Sequence, residues 1–248
     1  MYLTIRALVL RLTDYSERDA LVTLLTRDHG RITVKARGLR RKNSPLTAAC
    51  QLLALSEFTL FEYKGMYTIN EAHCVELFHG LRKDLQKLSL GTYFAQVAEI
   101  ISQEDLPSPQ LQSLVLNCLY ALSNLNIAEN KVKAAFELRS VCLAGYSPDL
   151  YGCHACGSNV PDRFDVSAGR LECGGCRSPE SEGLRMPLAP GVLDAMRYIT
   201  GCDAKRLLSF ALSDNHLEQL AQITETYLST QLERGFSTLD FYKSLLIS

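Results

Sequence analysis

Four cysteines form the clearest chemical motif of this 248-residue chain. Cys153 and Cys156 make one CxxC pair, and Cys173 and Cys176 make a second pair after sixteen intervening residues. This spacing is typical of a zinc ion held by four thiolates in a tetrahedral shell. We therefore predict one structural zinc ion at these four residues. The alternatives are two disulfides, a redox-active CxxC, or four independent thiols.

The sequence around the cysteines predicts a small metal-bound ribbon. Glycines such as Gly157 permit the tight turns that a CxxC pair needs, and the residues between the pairs are rich in turn formers. Such a segment has little core of its own, so metal binding would supply much of its folding free energy. His154 lies inside the first pair, but four thiolates already complete the shell.

The sequence offers little support for an enzyme. It contains no GxxxxGK(S/T), GxGxxG, GxSxG or HExxH motif. A zinc ion bound by four cysteines has no open position for water, which makes it a poor hydrolytic centre. We expect a protein without catalytic activity, and a zinc-containing nucleic-acid enzyme with unrecognised catalytic residues is the alternative.

A second candidate site is a basic stretch near the N-terminus. The net charge of the whole chain is only −1, but no acidic residue lies between Asp28 and Glu57. Six cations lie in that gap: Arg31, Lys35, Arg37, Arg40, Arg41 and Lys42. Such local asymmetry indicates a surface for nucleic acid, and a solvated edge strand kept soluble by its charges is the alternative.

The N-terminal residues predict the strands that would position these cations. β-rich runs cover residues 3–9, 20–26, 31–37, 52–63 and 66–72. Five short strands in this span predict a small closed barrel of the OB type, although an SH3-like barrel would give a similar pattern. In the third run Ile32, Val34 and Ala36 alternate with cations, so one face of that strand would present Arg31, Lys35 and Arg37 together.

Aromatic residues near this surface could stack on unpaired bases: Tyr15, Phe58, Phe61, Tyr63 and Tyr67. Most of them would belong to the core. Phe58 and Phe61 cannot share a strand face at a spacing of three, so at least one should lie outside the core or at a bulge.

Beyond His79 the apolar period becomes helical. Ser108 and Pro109 predict a helix start with a capping hydroxyl, followed by an apolar stripe over residues 111–125. Further helices are expected through residues 132–139, 192–199 and 217–228. The cysteine segment would therefore interrupt a helical domain.

The composition indicates a cytoplasmic globular protein. The chain has no run of about 18 apolar residues, and its first apolar stretch carries arginines at 6, 11 and 18. We therefore predict neither a membrane span nor a signal peptide. Five of the nine cysteines are scattered outside the two pairs, which suits a reducing compartment.

Two segments resemble the RecO family of bacterial DNA repair proteins, and the resemblance covers the whole chain. The segments are LTRDHGRITVKARGLRRKNSPL at residues 25–46 and FELRSVCLAGYSPDLYGCHACG at residues 136–157. The second is more specific because it places a GYxPxL phrase directly before the first CxxC. Members have an N-terminal OB domain, an all-helical domain and, in many cases, a zinc-binding insertion, so the four cysteines imply the metal-bearing form.

The resemblance implies the function of a recombination mediator. Such proteins bind single- and double-stranded DNA, anneal complementary strands, associate with RecR, and help RecA to displace single-stranded-DNA-binding protein (SSB). The family likeness assigns DNA contact to the six cations named above. Some members dock the C-terminal tail of SSB on the helical domain. Arg139 is a candidate for that contact, as a cation at the rim of an apolar groove that could take a carboxylate. Its alternative role is that of a partner in a buried ion pair.

Together these observations predict an α+β protein with an N-terminal five-stranded OB-type barrel and an all-α C-terminal domain carrying an inserted four-cysteine zinc ribbon. The expected divisions are 1–79 for the DNA-binding barrel, 80–150 and 182–248 for the helical domain, and 151–181 for the zinc-binding insertion. We expect a location in the cytoplasm, associated with the nucleoid. An adaptor that meets DNA only through partners remains a further alternative.

Overall fold

Five N-terminal strands close into a barrel in the computed structural model, which describes residues 2–176 and 183–247. The strands are β1 (Tyr2–Asp14), β2 (Ala20–Thr26), β3 (Arg31–Ala36), β4 (Leu55–Tyr63) and β5 (Met66–Glu76). Their order around the barrel is β1-β2-β3-β5-β4, and β4 pairs with β1 to close it. β5 lies between β3 and β4 and runs parallel to β3. This order confirms the OB-type barrel.

The barrel interior is filled by alternating apolar residues of the strands. Val22 and Leu24 of β2 face Ile32 and Val34 of β3, and all four are buried. The long connection after β3, residues 37–54, adds three side chains to the same core: Leu46, Cys50 and Ala54. This loop is consequently anchored to the barrel.

Four helices belong to the same compact unit as the barrel, which comprises residues 1–125 and 237–248. They are α1 (His79–Arg82), α2 (Leu85–Ile101), α3 (Pro109–Asn124) and α7 (Ser237–Leu246). Pro109 opens α3 as expected, but the hydroxyl of Ser108 donates to the carbonyl of Leu106 instead of capping the helix. Asp84 caps α2 by accepting from the backbone N–H groups of Gln86 and Lys87.

The second unit comprises residues 126–236. It contains the helices α4 (Glu129–Leu143), α5 (Pro190–Gly201) and α6 (Asp214–Gln231). Its four-stranded sheet has the order β6-β8-β7-β9, with β6 (Asp149–Cys153), β7 (Arg163–Asp165), β8 (Arg170–Glu172) and β9 (Arg185–Pro187).

The sheet extends on both sides of the predicted insertion at residues 151–181, because β6 begins at Asp149 and β9 ends at Pro187. The end of that predicted segment, residues 177–181, lies outside the described residues. Within the described residues, no helix combines the length and the apolar character that crossing a membrane requires.

Candidate metal centre and nucleic-acid interface

The four cysteines of the two CxxC pairs come together in one cluster. The Sγ atoms of Cys153, Cys156, Cys173 and Cys176 all lie within 4.8 Å of one another, and those of Cys156 and Cys173 are 3.8 Å apart. A Zn–S bond of about 2.3 Å gives an edge of about 3.8 Å between sulfurs of a tetrahedron. The cluster thus has the donor type, number and spacing of a four-thiolate metal site.

Two tight turns position the sulfurs. Cys153 ends β6, and its carbonyl accepts from the N–H of Gly157 at 2.8 Å. Gly157 has a φ of +71°, a conformation that favours glycine over other residues. In the second turn the N–H of Cys176 donates to the carbonyl of Cys173 at 2.9 Å. The N–H of Cys173 points at the Sγ of Cys153 at 3.3 Å, which joins the two turns.

The environment of the cluster favours the thiolate form of Cys153 and opposes ionisation of Cys173 and Cys176. Burial opposes ionisation of Cys153, but N–H groups of Cys156, Cys173 and Ala155 outweigh it and lower the pKa of Cys153 to about 6. Hydrogen bonding to Cys156, together with burial, raises the pKa of Cys176 to about 12. A bound cation would be needed to stabilise four thiolates together, which is the role of a metal ion in such sites.

The sheet that carries the cysteines has a core, which corrects the expectation of a ribbon almost without one. Phe164 and Leu171 are fully buried. The ring of Phe164 meets that of Tyr227 on α6 edge to face at 5.2 Å. The hydroxyl of Tyr227 donates to the carbonyl of Tyr146 at 2.8 Å. Apolar packing therefore supports one part of the sheet independently of a metal.

The arginines of this sheet are paired with acidic residues. Arg163 lies 3.8 Å from a carboxylate oxygen of Asp162, and Arg185 lies 2.5 Å from one of Glu172. Glu172 also lies 3.6 Å from Arg170. Arg177 lies outside the described residues.

On the barrel, β3 shows the predicted alternation, but its cations have partners. Arg31 donates to the carbonyl of Glu99 at 2.8 Å and lies 3.4 Å from the carboxylate of Glu104. Lys35 lies 3.2 Å from the carboxylate of Asp19. The stretch is free of acids only along the sequence, because the fold brings carboxylates from other elements to it.

The cations after β3 are less constrained. Arg40 is half-exposed and pairs with Asp14 at 3.0 Å. β3 ends at Ala36, so the predicted run to residue 37 is one residue too long and Arg37 lies outside the strand. Arg37, Arg41 and Lys42 are exposed, and none of them has a carboxylate at salt-bridge distance within the described part of the chain.

Asp19 fixes the start of the basic loop. Its carboxylate accepts from the N–H of Gly38 at 2.9 Å. This hydrogen bond is the main reason that the pKa of Asp19 lies below its usual value, and Lys35 and Arg37 lower it further. Gly38 has a φ of +67°, and a Cβ there would come within 3.3 Å of the Arg41 side chain.

Sequence reasoning missed Arg18 as a member of this surface. Arg18 is exposed, and its carbonyl accepts from the N–H of Arg40 at 3.1 Å. Arg18 stands between Glu17 and Asp19 in the sequence, so it does not belong to an acid-free run. The available sequence signal was the pair of β-rich runs at residues 3–9 and 20–26, because the segment between two strands forms a loop; in the structure Asp14 pairs with Ala20, which leaves residues 15–19 as that loop.

The aromatic residues divide between core and surface. Phe58 is fully buried, whereas Phe61 is 39% exposed, as the spacing of three required. Tyr15 and Tyr63 are exposed as well, and Tyr67 packs against the barrel core. The exposed rings are available to a ligand.

Arg139 holds the end of a helix. Its guanidinium donates to the carbonyl of Thr200, in the last turn of α5, and to that of Cys202, the C-cap residue of this helix. A cation at this position satisfies carbonyls that lack helical partners and complements the helix dipole. These contacts give Arg139 a role within its own unit, and its role in partner binding stays a prediction.

A buried ion network between α4 and α6 was also missed. Lys133 lies 2.8 Å from carboxylate oxygens of both Glu137 and Glu225. Thr224 donates to Glu137 at 2.8 Å. Burial alone would lower the pKa of Lys133, but the two carboxylates outweigh it and raise that pKa. The lysine consequently stays charged in the helical core.

The fold and these sites define a protein with an OB barrel, a second unit of helices and sheet, and a four-cysteine cluster that could hold a metal ion. Comparison with known families agrees with this description. The model "Recombination protein O N terminal" matches residues 1–78, and "Recombination protein O C terminal" matches residues 82–240. This chain belongs to the RecO family.

Individual relatives align along nearly the whole chain. A protein of Acetivibrio thermocellus named DNA repair protein RecO is 32% identical over 246 residues, covering 98% of this chain and 97% of the relative. Proteins of the same name from Desulforudis audaxviator and Bacillus subtilis are 30% and 28% identical. These alignments cover 98% and 89% of this chain, and 96% and 86% of the respective relatives.

Proposed function

We propose that this chain is a DNA-binding recombination mediator that serves DNA repair without catalytic turnover. Its relatives carry the name DNA repair protein RecO, and membership of the family supports a repair role here. The observation that carries the proposal is the group of exposed cations Arg37, Arg41 and Lys42 at one end of the barrel.

The basic loop, which we define as residues 37–42, is suited to a phosphate backbone. Cations without carboxylate partners can neutralise phosphates and release their counterions, a driving force that does not depend on base sequence. OB barrels bind oligonucleotides with the β1–β2 and β4–β5 loops beside the β2–β3 face. Here the β1–β2 loop adjoins the basic loop through the hydrogen bond from Gly38 to Asp19.

Binding of this kind would serve both single- and double-stranded DNA. Holding two strands on one cationic surface lowers their mutual repulsion, and we propose that annealing of complementary strands follows from it. Carboxylate partners offset the charges of Arg31, Lys35 and Arg40, so we expect a smaller contribution to DNA binding from these three cations. RecR, the C-terminal tail of SSB and, indirectly, RecA are the proposed protein partners, with Arg139 as the candidate contact on the helical side. The proposed location is the cytoplasm, at the nucleoid.

The four cysteines are proposed to hold one zinc ion in a structural role. Four thiolates would close the coordination shell, which leaves no position for substrate or water. The ion would join the two cysteine turns and supply charge compensation for the thiolates.

The test is annealing of complementary strands coated with SSB, with the triple variant Arg37→Gln/Arg41→Gln/Lys42→Gln beside the wild type. We expect wild-type protein to accelerate annealing and the triple variant to lose most of this acceleration. The matched control, Lys83→Gln/Lys205→Gln/Arg234→Gln, removes the same number of exposed charges elsewhere and should keep it. If the wild type neither anneals strands nor binds an oligonucleotide at low salt, an adaptor function is the better account.

A further inference from the structure

A row of exposed aromatic residues crosses the outer face of the barrel beside the basic loop. The strand register pairs Lys35 of β3 with Thr68 of β5, Thr68 with Phe61 of β4, and Phe61 with Tyr2 of β1. The neighbours Val34, Ile69, Leu60 and Leu3 pack against the barrel core. Because side chains alternate along a strand, the four paired residues share the outer face.

The row continues at both ends. Tyr15 lies against Lys35, whose Nζ atom is 4.5 Å from the centre of the ring. At the other end the rings of Phe61 and Tyr2 contact each other, with their centres 5.3 Å apart. Tyr63 follows Phe61 by two residues on the same face, and the Nζ of Lys64 lies 5.3 Å from its ring. We call these residues the aromatic row: Tyr15, Lys35, Thr68, Phe61, Tyr2 and Tyr63.

The rings of the aromatic row are open to solvent. Tyr2 and Tyr63 are each 63% exposed, Tyr15 is 53% exposed and Phe61 is 39% exposed. Such a concentration of exposed aromatic surface with polar neighbours marks an interaction site. The exposed Lys64 beside Tyr63 distinguishes the ligand, since a cation next to aromatic rings suits a partner that carries both flat apolar surfaces and negative charge.

We propose that the aromatic row stacks on unpaired bases, and that it makes the barrel prefer single-stranded over double-stranded DNA. This inference rests on the proposed DNA-binding function and assigns the residues that select the form of DNA. Bases in a duplex are stacked on one another, whereas those of a single strand can turn toward a protein surface. The basic loop holds phosphates of either form, and only a single strand also engages the rings.

The geometry suits a continuous path for one strand. Lys35 and Phe61 are two strand spacings apart, about 10 Å, which about three nucleotides span at the ~3.4 Å spacing of a stacked strand. Asp19 connects the row to the basic loop, because it pairs with Lys35 and accepts from Gly38. Phosphates at residues 37–42 would thus lead directly to bases at the row.

The test uses three DNA probes of equal length at one salt concentration: an ordinary single strand, an abasic strand and a duplex. The abasic strand keeps the phosphates and lacks the bases. In the double variant Tyr15→Leu/Phe61→Leu, affinity for the ordinary strand should fall roughly tenfold or more, the size of lost base stacking. Affinity for the abasic strand and the duplex should stay near that of the wild type. The control Tyr120→Leu removes an exposed ring from α3 and should change nothing.

Equal losses on all three probes, or no loss on the ordinary strand, would overturn this inference while leaving DNA binding intact. Failure of the wild type to bind any of the probes would instead overturn the proposed function.

A second variant tests the inference even if Tyr15→Leu/Phe61→Leu does not fold. The chain contains no tryptophan, so Phe61→Trp provides a single indole signal. Its fluorescence should be quenched by the ordinary strand and not by the abasic one, and equal quenching by both contradicts base stacking.

Discussion

The cysteine centre and the basic end of the barrel differ in whether their chemical groups face one another or face solvent. The sulfurs of Cys153, Cys156, Cys173 and Cys176 face one another within 4.8 Å, and a metal would saturate them. At the barrel, Arg37, Arg41 and Lys42 point into solvent without carboxylate partners in the described part of the chain. A saturated centre stabilises the fold, and an unsaturated surface is available to bind a ligand. We therefore propose a structural role for the stronger sequence motif, the cysteine pairs, and a binding role for the basic loop.

The largest effect should come from removing the metal ligands. Cys153→Ser/Cys156→Ser should abolish stoichiometric zinc in the purified protein and lower its thermal unfolding temperature, because structural zinc contributes directly to folding free energy. Affinity for a single-stranded oligonucleotide should remain near that of the wild type. Zinc content by mass spectrometry, thermal unfolding and fluorescence anisotropy measure the three quantities.

Cys74→Ser serves as the control for that experiment, because Cys74 is a half-buried free cysteine of β5. It should retain the zinc. A folded Cys153→Ser/Cys156→Ser protein that no longer binds DNA would remove the distinction between the two regions.

Removing the unpaired cations should alter the salt dependence of DNA binding. Each lost phosphate contact reduces the slope of log affinity against log salt by ~0.7 for a single strand, so Arg37→Gln/Arg41→Gln/Lys42→Gln should make the slope shallower by ~2. The loss of affinity should be similar for unrelated base sequences. An unchanged slope would exclude these residues as phosphate contacts.

Arg31→Gln should behave differently from that triple variant. Arg31 is held by the carbonyl of Glu99 and the carboxylate of Glu104, so its loss should cost roughly 1–3 kcal/mol of unfolding free energy and leave the salt slope nearly unchanged. Urea unfolding and a salt titration separate the two effects. A shallower slope with unchanged stability would place Arg31 among the DNA contacts.

In the second unit, Arg139→Leu should lower the unfolding free energy by about 1–3 kcal/mol, because the carbonyls of Thr200 and Cys202 lose a charged donor. Arg234→Leu, which removes an exposed arginine, should have little effect. If Arg139→Leu leaves stability unchanged and weakens binding of the SSB tail peptide, the partner role predicted for Arg139 is the correct one.

The smallest effect concerns the pH dependence set by Asp19. Its pKa is lower in the folded chain than in the unfolded one, so its ionised form stabilises the fold above the unfolded pKa of about 4. This contribution is lost as the pH falls from about 4 through the lowered pKa. Asp19→Asn should therefore reduce the urea midpoint at pH 7, and its difference from the wild type should shrink toward pH 3. A constant difference over this range would show that the charge of Asp19 is not involved.

The sequence predicted the features that depend on neighbours along the chain. β2 matches the predicted residues 20–26, Pro109 begins α3, and the spacing of Phe58 and Phe61 placed them on opposite faces. Periodicity and CxxC spacing are local signals, and they persist in the folded structure.

The features that sequence reasoning missed depend on contacts between distant residues. The acidic partners of Lys35 and Arg31 come from the β1–β2 loop and from the segment that follows α2, so an acid-free run along the sequence could not reveal them. Lys133 on α4 finds Glu225 on α6 in the same way. The aromatic row likewise follows from the register of four strands, which the order of residues in the chain does not specify.

The most direct test of the account is amide hydrogen exchange of the full chain with and without a single-stranded oligonucleotide. We expect slower exchange in residues 14–19 and 36–43 of the barrel on binding DNA, with little change in residues 153–176 around the cysteines. Protection confined to residues 153–176 would contradict this expectation and place the DNA surface on the metal centre.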